Sequence, residues 1–186
     1  MMVKDNSFIL SKLKIINKAF EEDDSMLLRS ESNELIKTAV QEHDKELAKT
    51  ALIAYCLHKI LSKSHFAAHE DWPKHKKNLL MTIKEIRLKS EKDSSYLVKG
   101  IDELGKEIQE FDTKFGSYLE NLIEKSKIKY AAEAFYLGMS LNKAAEFMDT
   151  NFKSLQIYLS KTKQFEETFK EASISKRIEK LEKALR

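Results

Sequence analysis

The chain has little punctuation. Its 186 residues include one Pro and four Gly, the residues that most often shape tight turns and end strands. A sheet protein of this length needs many such turns, whereas long helices need few, so the scarcity points to an all-α fold. Cysteine is scarcer still. Cys56 stands alone, which excludes an intrachain disulfide and a zinc site built on paired cysteines, and makes a reducing cytoplasm the expected setting. Long apolar runs are missing as well: the longest, around Ala51 to Leu57, falls far short of the roughly 20 residues of a membrane span. The opening MMVKDNSFILSK has no apolar core of the kind that marks a secretory signal. No membrane association is expected. Arginine is the last shortage, with only Arg29, Arg87, Arg177 and Arg186. Lysine meets phosphate as a point charge, while Arg makes the bidentate contact that most often reads guanine, so strong base-specific readout is disfavoured.

What is present is amphipathic. Hydrophobic residues make up 42% of the chain, enough for a core, and 34% are charged, above the roughly 25% of an average globular protein. The net charge of +3 is too small to imply a polyanion partner by itself, so a basic site has to come from local clustering. No fixed-period repeat occurs. Ile9, Leu13, Ile16 and Phe20 follow four-three-four spacing and predict a first helix over residues 8–20, with the acidic EEDDS (Glu21 to Ser25) as a loop. A second helix carries Leu35, Ile36, Ala39 and Val40 and ends near His43. Asp44 is placed to cap a third, with a stripe of Leu47, Ala51, Ala54, Tyr55, His58 and Leu61. Pro73 suits the first turn of a further helix, where its missing N–H costs nothing. That helix carries Leu79, Leu80, Ile83 and Ile86 and stops in KSEKDSS.

From Leu97 the pattern becomes a heptad seam: Leu97, Ile101, Leu104, Ile108, Phe111, Phe115, Tyr118 and Leu122 alternate by four and three. It predicts one long helix of roughly 40 Å. Such a helix packs either antiparallel on the Pro73 helix or on its own copy in a dimer, the first being preferred. A last segment with Ile174, Ile178, Leu181 and Leu185 is too short to be stable alone and has to dock somewhere.

The stretch LNKAAEFMDTNFKSLQIYLS (Leu141 to Ser160) resembles the helix-turn-helix family of DNA-binding proteins. Gly138 would end the preceding helix and Ser140 cap the next. Ala145 matches the small residue where the two helices cross, Leu155 and Tyr158 match buried positions of the second helix, and Thr150 or Asn151 would cap it. The pattern is departed from at Asp149, where the family has its turn glycine, and at Phe152 and Ile157, where a recognition helix shows polar groups. The resemblance implies a second helix that enters a DNA groove. From Asn151 to Lys163 the segment holds Lys153, Lys161 and Lys163 and no acid, with Ser154, Gln156 and Ser160 as neutral hydrogen-bonding groups. Gln156 could pair with adenine and the lysines would sit on phosphates. Three lysines give a modest electrostatic contribution, so a homodimer is expected for useful affinity. The alternatives are two ordinary short helices closing a bundle, or a protein-binding surface centred on Phe152 and Ile157.

Catalytic and metal chemistry finds little footing. His65 and His69 are one helical turn apart, with Glu70, Asp71 and His75 close by, but HEXXH is absent and Pro73 interrupts the helix. A polar helix end is the simpler reading, and no metal or other cofactor is expected. His58 lies on an apolar stripe and reads as a hydrogen-bonded core histidine. Trp72 reads as a helix-corner residue. Helical-bundle ribonucleases carry an Arg about five residues before a His, and no Arg here is so placed. Cys56 in its apolar run has the setting of an inert thiol. The chain is therefore expected to be a non-enzyme in three parts: an N-terminal helical bundle (1–92), a long connecting helix (93–126) and a helix-turn-helix unit with a tail helix (127–186). The expected function is DNA binding in a transcriptional regulator. The alternative is a protein-interaction adaptor or a subunit of a larger assembly, a ribonucleoprotein included.

Overall fold

The computed structural model describes residues 6–63, 69–114 and 122–162. They form helices α1 (Ser7–Glu21), α2 (Ser25–Glu42), α3 (Lys45–Leu61), α4 (Trp72–Lys92), α5 (Tyr96–Lys114), α6 (Leu122–Tyr136), α7 (Leu141–Phe147) and α8 (Phe152–Lys161). The fold is all-α, with no strand among the described residues.

Side-chain caps set several of the boundaries. Asp24 Oδ1 accepts the Leu27 N–H at 2.8 Å, and Asp44 Oδ1 accepts from Glu46 at 2.9 Å and Leu47 at 3.1 Å, which satisfies donors that a helix start leaves open. Between them α2 closes on His43, whose left-handed φ of 54° lets the Asp44 N–H return to the Ala39 carbonyl at 2.9 Å. Pro73 sits in the first turn of α4.

α3 is the hub. The sequence pattern suggested one stripe, yet twelve of its residues are buried, because α1, α2, α5 and α6 all pack on it. Ala39 of α2 and Ala48, Ala51 and Ala54 of α3 are buried, and such small side chains let helix axes approach closely. Polar threads cross this region. Ser32 Oγ donates to the Ala51 carbonyl at 2.9 Å and receives the Tyr130 hydroxyl proton, joining α2, α3 and α6. His58 Nδ1 meets the Ser25 carbonyl at 2.8 Å. Burial first, then the Lys59, Arg29 and Lys129 charges, hold its pKa below the usual imidazole range. Trp72 fills the corner, edge-on to Phe20 with centroids 6.3 Å apart and 5.7 Å from Phe111.

α4 and α5 form an antiparallel hairpin in the chain itself: Trp72 meets Phe111 at one end, and Gly100 meets Ile86 further along. A Cβ on Gly100 would lie 2.7 Å from Ile86 Cγ1, so glycine is what lets the two backbones come together. The expected single connecting helix over 93–126 is not what forms. A Cβ on Gly105 would lie 3.9 Å from Ile123 Cδ1, whereas eighteen residues of one straight helix span about 27 Å. Asp112 Oδ2 also accepts the Leu122 N–H at 3.0 Å, so the chain has reversed between α5 and α6. The heptad phase survives because both legs bury the same stripe against one core; Leu104, Ile108, Phe111, Leu122 and Ile123 all belong to it. Phe115 and Tyr118 lie outside the described residues, as do the tail segment 174–185 and His65. The core is contiguous from Ile9 to Leu159, and residue 126 falls within α6, with Ser126 buried 3.8 Å from Cys56 Sγ.

Candidate nucleic-acid interface

α6, α7 and α8 pack on one another, and α6 also rests on α2, α3 and α5. The chain leaves α6 through Gly138, whose φ of 108° is one that L side chains rarely adopt. Ser140 Oγ then accepts the Lys143 N–H at 3.4 Å and starts α7. α7 ends in a tight turn at Asp149, left-handed with φ 49°, and the Thr150 N–H returns to the Ala145 carbonyl at 2.9 Å. The position occupied by glycine in the family pattern thus takes a left-handed backbone here with an Asp, one of the few other residues that tolerate it. Asn151 Oδ1 accepts the Ser154 N–H at 3.2 Å and caps α8.

Apolar burial fixes the two short helices. Ala144, Ala145, Phe147 and Met148 are buried under α7, and Leu155 and Leu159 under α8. Tyr158, expected at a buried position, is half-buried; burial, followed by Tyr136 and Glu133, pushes its hydroxyl pKa up. Three polar ties hold the ends. Lys127 Nζ lies 3.0 Å from Glu124 and 3.6 Å from Asp149, Lys45 Nζ reaches the Glu146 carbonyl at 3.5 Å, and the Tyr136 hydroxyl meets Thr162 Oγ1 at 3.1 Å. Behind the turn a cleft of about 670 Å³ opens between α3, α5, α6 and α7, floored by Leu52, Ile53 and Ile101. Its charges are largely matched, as by Lys49 and Asp102 at 2.6 Å.

The outward face of α8 carries most of the sequence-predicted residues. Asn151, Lys153, Gln156, Ser160 and Lys161 are exposed, Ser154 is half-buried, and Lys163 lies outside the described residues. Neither Lys153 nor Lys161 has a carboxylate partner among the described residues, and α8 contains no acid. Two side chains are partly committed. Asn151 spends its carbonyl on the cap and keeps its NH2 donors. Ser160 Oγ donates to the Ile157 carbonyl at 2.8 Å, so it meets a ligand as an acceptor, not as a phosphate donor. Phe152 and Ile157 are 39% and 55% exposed on the same helix. Lys143, exposed on α7, adds a cation that the α8-centred sequence reading left aside; its position three residues past the Ser140 cap was the available signal.

Elsewhere the reactive side chains are quiet. Cys56 is fully enclosed, and burial pushes its thiol up to about 12, far from the thiolate that a nucleophile needs. His69 Nδ1 accepts the Asp71 N–H at 3.2 Å. No group of three or more His, Cys, Asp or Glu among the described residues is arranged to hold a metal ion, and none of the described helices is long and apolar enough to cross a membrane. Comparison of the chain with protein-family models, with curated proteins and with solved structures returns no match.

Proposed function

We propose that the α7–turn–α8 unit binds double-stranded DNA, as in a transcriptional regulator, in a reducing cytoplasm and without catalysis. The observation that carries this reading is the division of α8. Leu155 and Leu159 anchor one side, and the acid-free opposite side offers Lys153, Gln156 and Lys161 to solvent. First-turn N–H groups beside the Asn151 cap suit a phosphate, the lysines would neutralise neighbouring phosphates, and Gln156 is the residue placed to meet a base. The resemblance to helix-turn-helix proteins supports the same assignment. With few lysines per copy, two copies on one duplex would supply working affinity.

The test is fluorescence anisotropy of the purified chain against random-sequence duplex DNA and single-stranded RNA across a salt series. Each phosphate contact contributes about 0.9 to the slope of log K against log salt. Lys153→Glu with Lys161→Glu should lower the slope by about 2 and abolish binding at moderate salt. Absence of duplex binding at low salt removes the proposal.

A second reading has its own observation. Ile157 is 55% exposed in the middle of the polar face and Phe152 is 39% exposed at the start of the same helix, and exposed apolar side chains on a helix suit a protein groove. Under that reading Phe152→Ser removes the interaction, while the Lys153/Lys161 double variant spares it.

A further inference from the structure

α1 and α4 lie antiparallel, with Lys76 Nζ bound to the Glu21 carbonyl at 3.1 Å and to Asp23 at 2.8 Å at one end and Asn6 Nδ2 donating to the Ser94 carbonyl at 3.1 Å at the other. Between these ties runs a cleft of about 350 Å³, within the size range of small-molecule sites. Its two walls are rows at helical spacing: Lys14, Asn17, Lys18 and Glu21 from α1, and Lys77, Leu80, Met81, Lys84 and Arg87 from α4. Five cations thus face one carboxylate, a local excess of positive charge larger than the net +3 of the whole chain.

Three neighbouring cations on the same helices are neutralised. Lys12 of α1 holds Glu31 at 2.8 Å and Glu34 at 2.7 Å, Lys76 holds Asp23, and Lys89 of α4 pairs with Glu85. Inside the cleft only Lys18 has a carboxylate, Glu22 at 3.8 Å on its own helix, and Lys14, Lys77, Lys84 and Arg87 have none among the described residues. Like charges left facing one another across a groove repel, and an anion between them relieves that repulsion. The cleft behind the α7 turn, where lysines and carboxylates are matched, shows the other arrangement in the same molecule. Two further features belong to the cleft. Asn17 Oδ1 is buried and has no hydrogen-bond partner, and Met81 is 60% exposed beside the half-buried Leu80.

We propose that this cleft binds the phosphate chain of a small polyphosphate anion, either free or carried by a nucleoside. Arg87 provides a bidentate fork and the lysines supply point charges for the phosphate oxygens. Leu80 and Met81 offer an apolar surface for a nucleoside; Asn17 Oδ1 only accepts hydrogen bonds, so a nucleoside N–H or O–H, not a phosphate oxygen, is what would meet it. The site is separate from α8 and stands whether or not α8 binds DNA.

Isothermal titration calorimetry of the full chain at low salt tests it, with inorganic tripolyphosphate and with a nucleoside triphosphate, both free of metal. Saturable one-to-one binding is expected, weakened at least tenfold by Lys77→Gln, Lys84→Gln and Arg87→Gln together. It should be unchanged by Lys37→Gln, Lys63→Gln and Lys92→Gln, which remove the same charge from exposed positions elsewhere. Tighter binding of the nucleotide that is lost in Met81→Asp supports the nucleoside arm; equal binding of the two supports the phosphate chain alone. Non-saturable heats overturn the proposal, as does an equal loss in both triple variants. It is also overturned if the cleft triple variant loses duplex DNA binding while tripolyphosphate fails to bind, since the cleft would then be part of a nucleic-acid surface.

Discussion

α3 and α8 are both helices opened by a side-chain cap, Asp44 and Asn151, and they do opposite work. α3 is covered by neighbours on nearly every side, with twelve residues buried, whereas α8 buries two, Leu155 and Leu159. Removing a buried group from α3 leaves a void that packed neighbours cannot refill. Changing an outward group on α8 alters what the surface offers and leaves the packing alone. The contrast separates residues that specify the fold from residues free to meet a ligand.

The largest expected effect tests that separation. Leu57→Ala in α3 should cost about 2–5 kcal/mol, whereas Ile157→Ala in α8 should stay within about 0.5 kcal/mol, both read by urea denaturation. Comparable losses would mean that α8 is covered by something further.

Next come the two glycines of α5, which sharpen the picture of the body. Gly100→Ala forces a Cβ to 2.7 Å from Ile86 and should destabilise by about 1 kcal/mol, because overpacking of about 1–3 kcal/mol outweighs the gain in helix propensity. Gly105→Ala meets only ordinary contacts at 3.9 Å and should stabilise by about 0.5–1 kcal/mol. Shifts of the same sign in thermal melts would contradict the antiparallel packing of α4 and α5.

On α8 itself, Asn151→Ala should cost about 1 kcal/mol through loss of the cap, with Asn151→Asp or Asn151→Ser retaining most of it. Circular dichroism melts give the ordering, and equal losses in all three would remove the cap from the account.

The smallest effect is a pH dependence belonging to the body. The folded-state pKa of His58 is depressed by burial and by Lys59, Arg29 and Lys129, so its contribution is fully present above the unfolded value of about 6.5. That contribution is lost as pH falls from there through the folded value. Wild-type stability should therefore drop between pH 7.5 and pH 5 more steeply than that of His58→Gln. Parallel curves would contradict the assignment.

Much of this organisation was legible in the sequence because it is local. The four-three spacing of Ile9, Leu13, Ile16 and Phe20, Asp44 as a cap, Pro73 in a first turn and Ser140 and Asn151 before two short helices are all decided within one or two turns of chain. What could not be read is what depends on a second element. The reversal between α5 and α6 was hidden because the heptad phase continues from Phe111 to Leu122 without a slip. The all-round burial of α3 depends on four helices arriving from separate parts of the chain. The α1–α4 cleft likewise exists only when Lys14 and Lys84, seventy residues apart, share one groove; the helical spacings of Lys14 with Lys18 and of Lys77 with Lys84 show each wall but not their meeting. On α8 the candidate residues were legible as a basic, acid-free stretch, but the hydroxyl bond that occupies Ser160 was not.

The most direct measurement is chemical-shift mapping of backbone amides by 15N–1H NMR as duplex DNA is added to the full chain. The proposed interface predicts the largest changes at Asn151, Lys153, Gln156 and Lys161, with smaller ones at Lys143 and little change along α1 and α4. Changes centred instead on Lys14, Lys77 and Lys84, or none at saturating DNA, would contradict the assignment of α8 as the DNA-binding face.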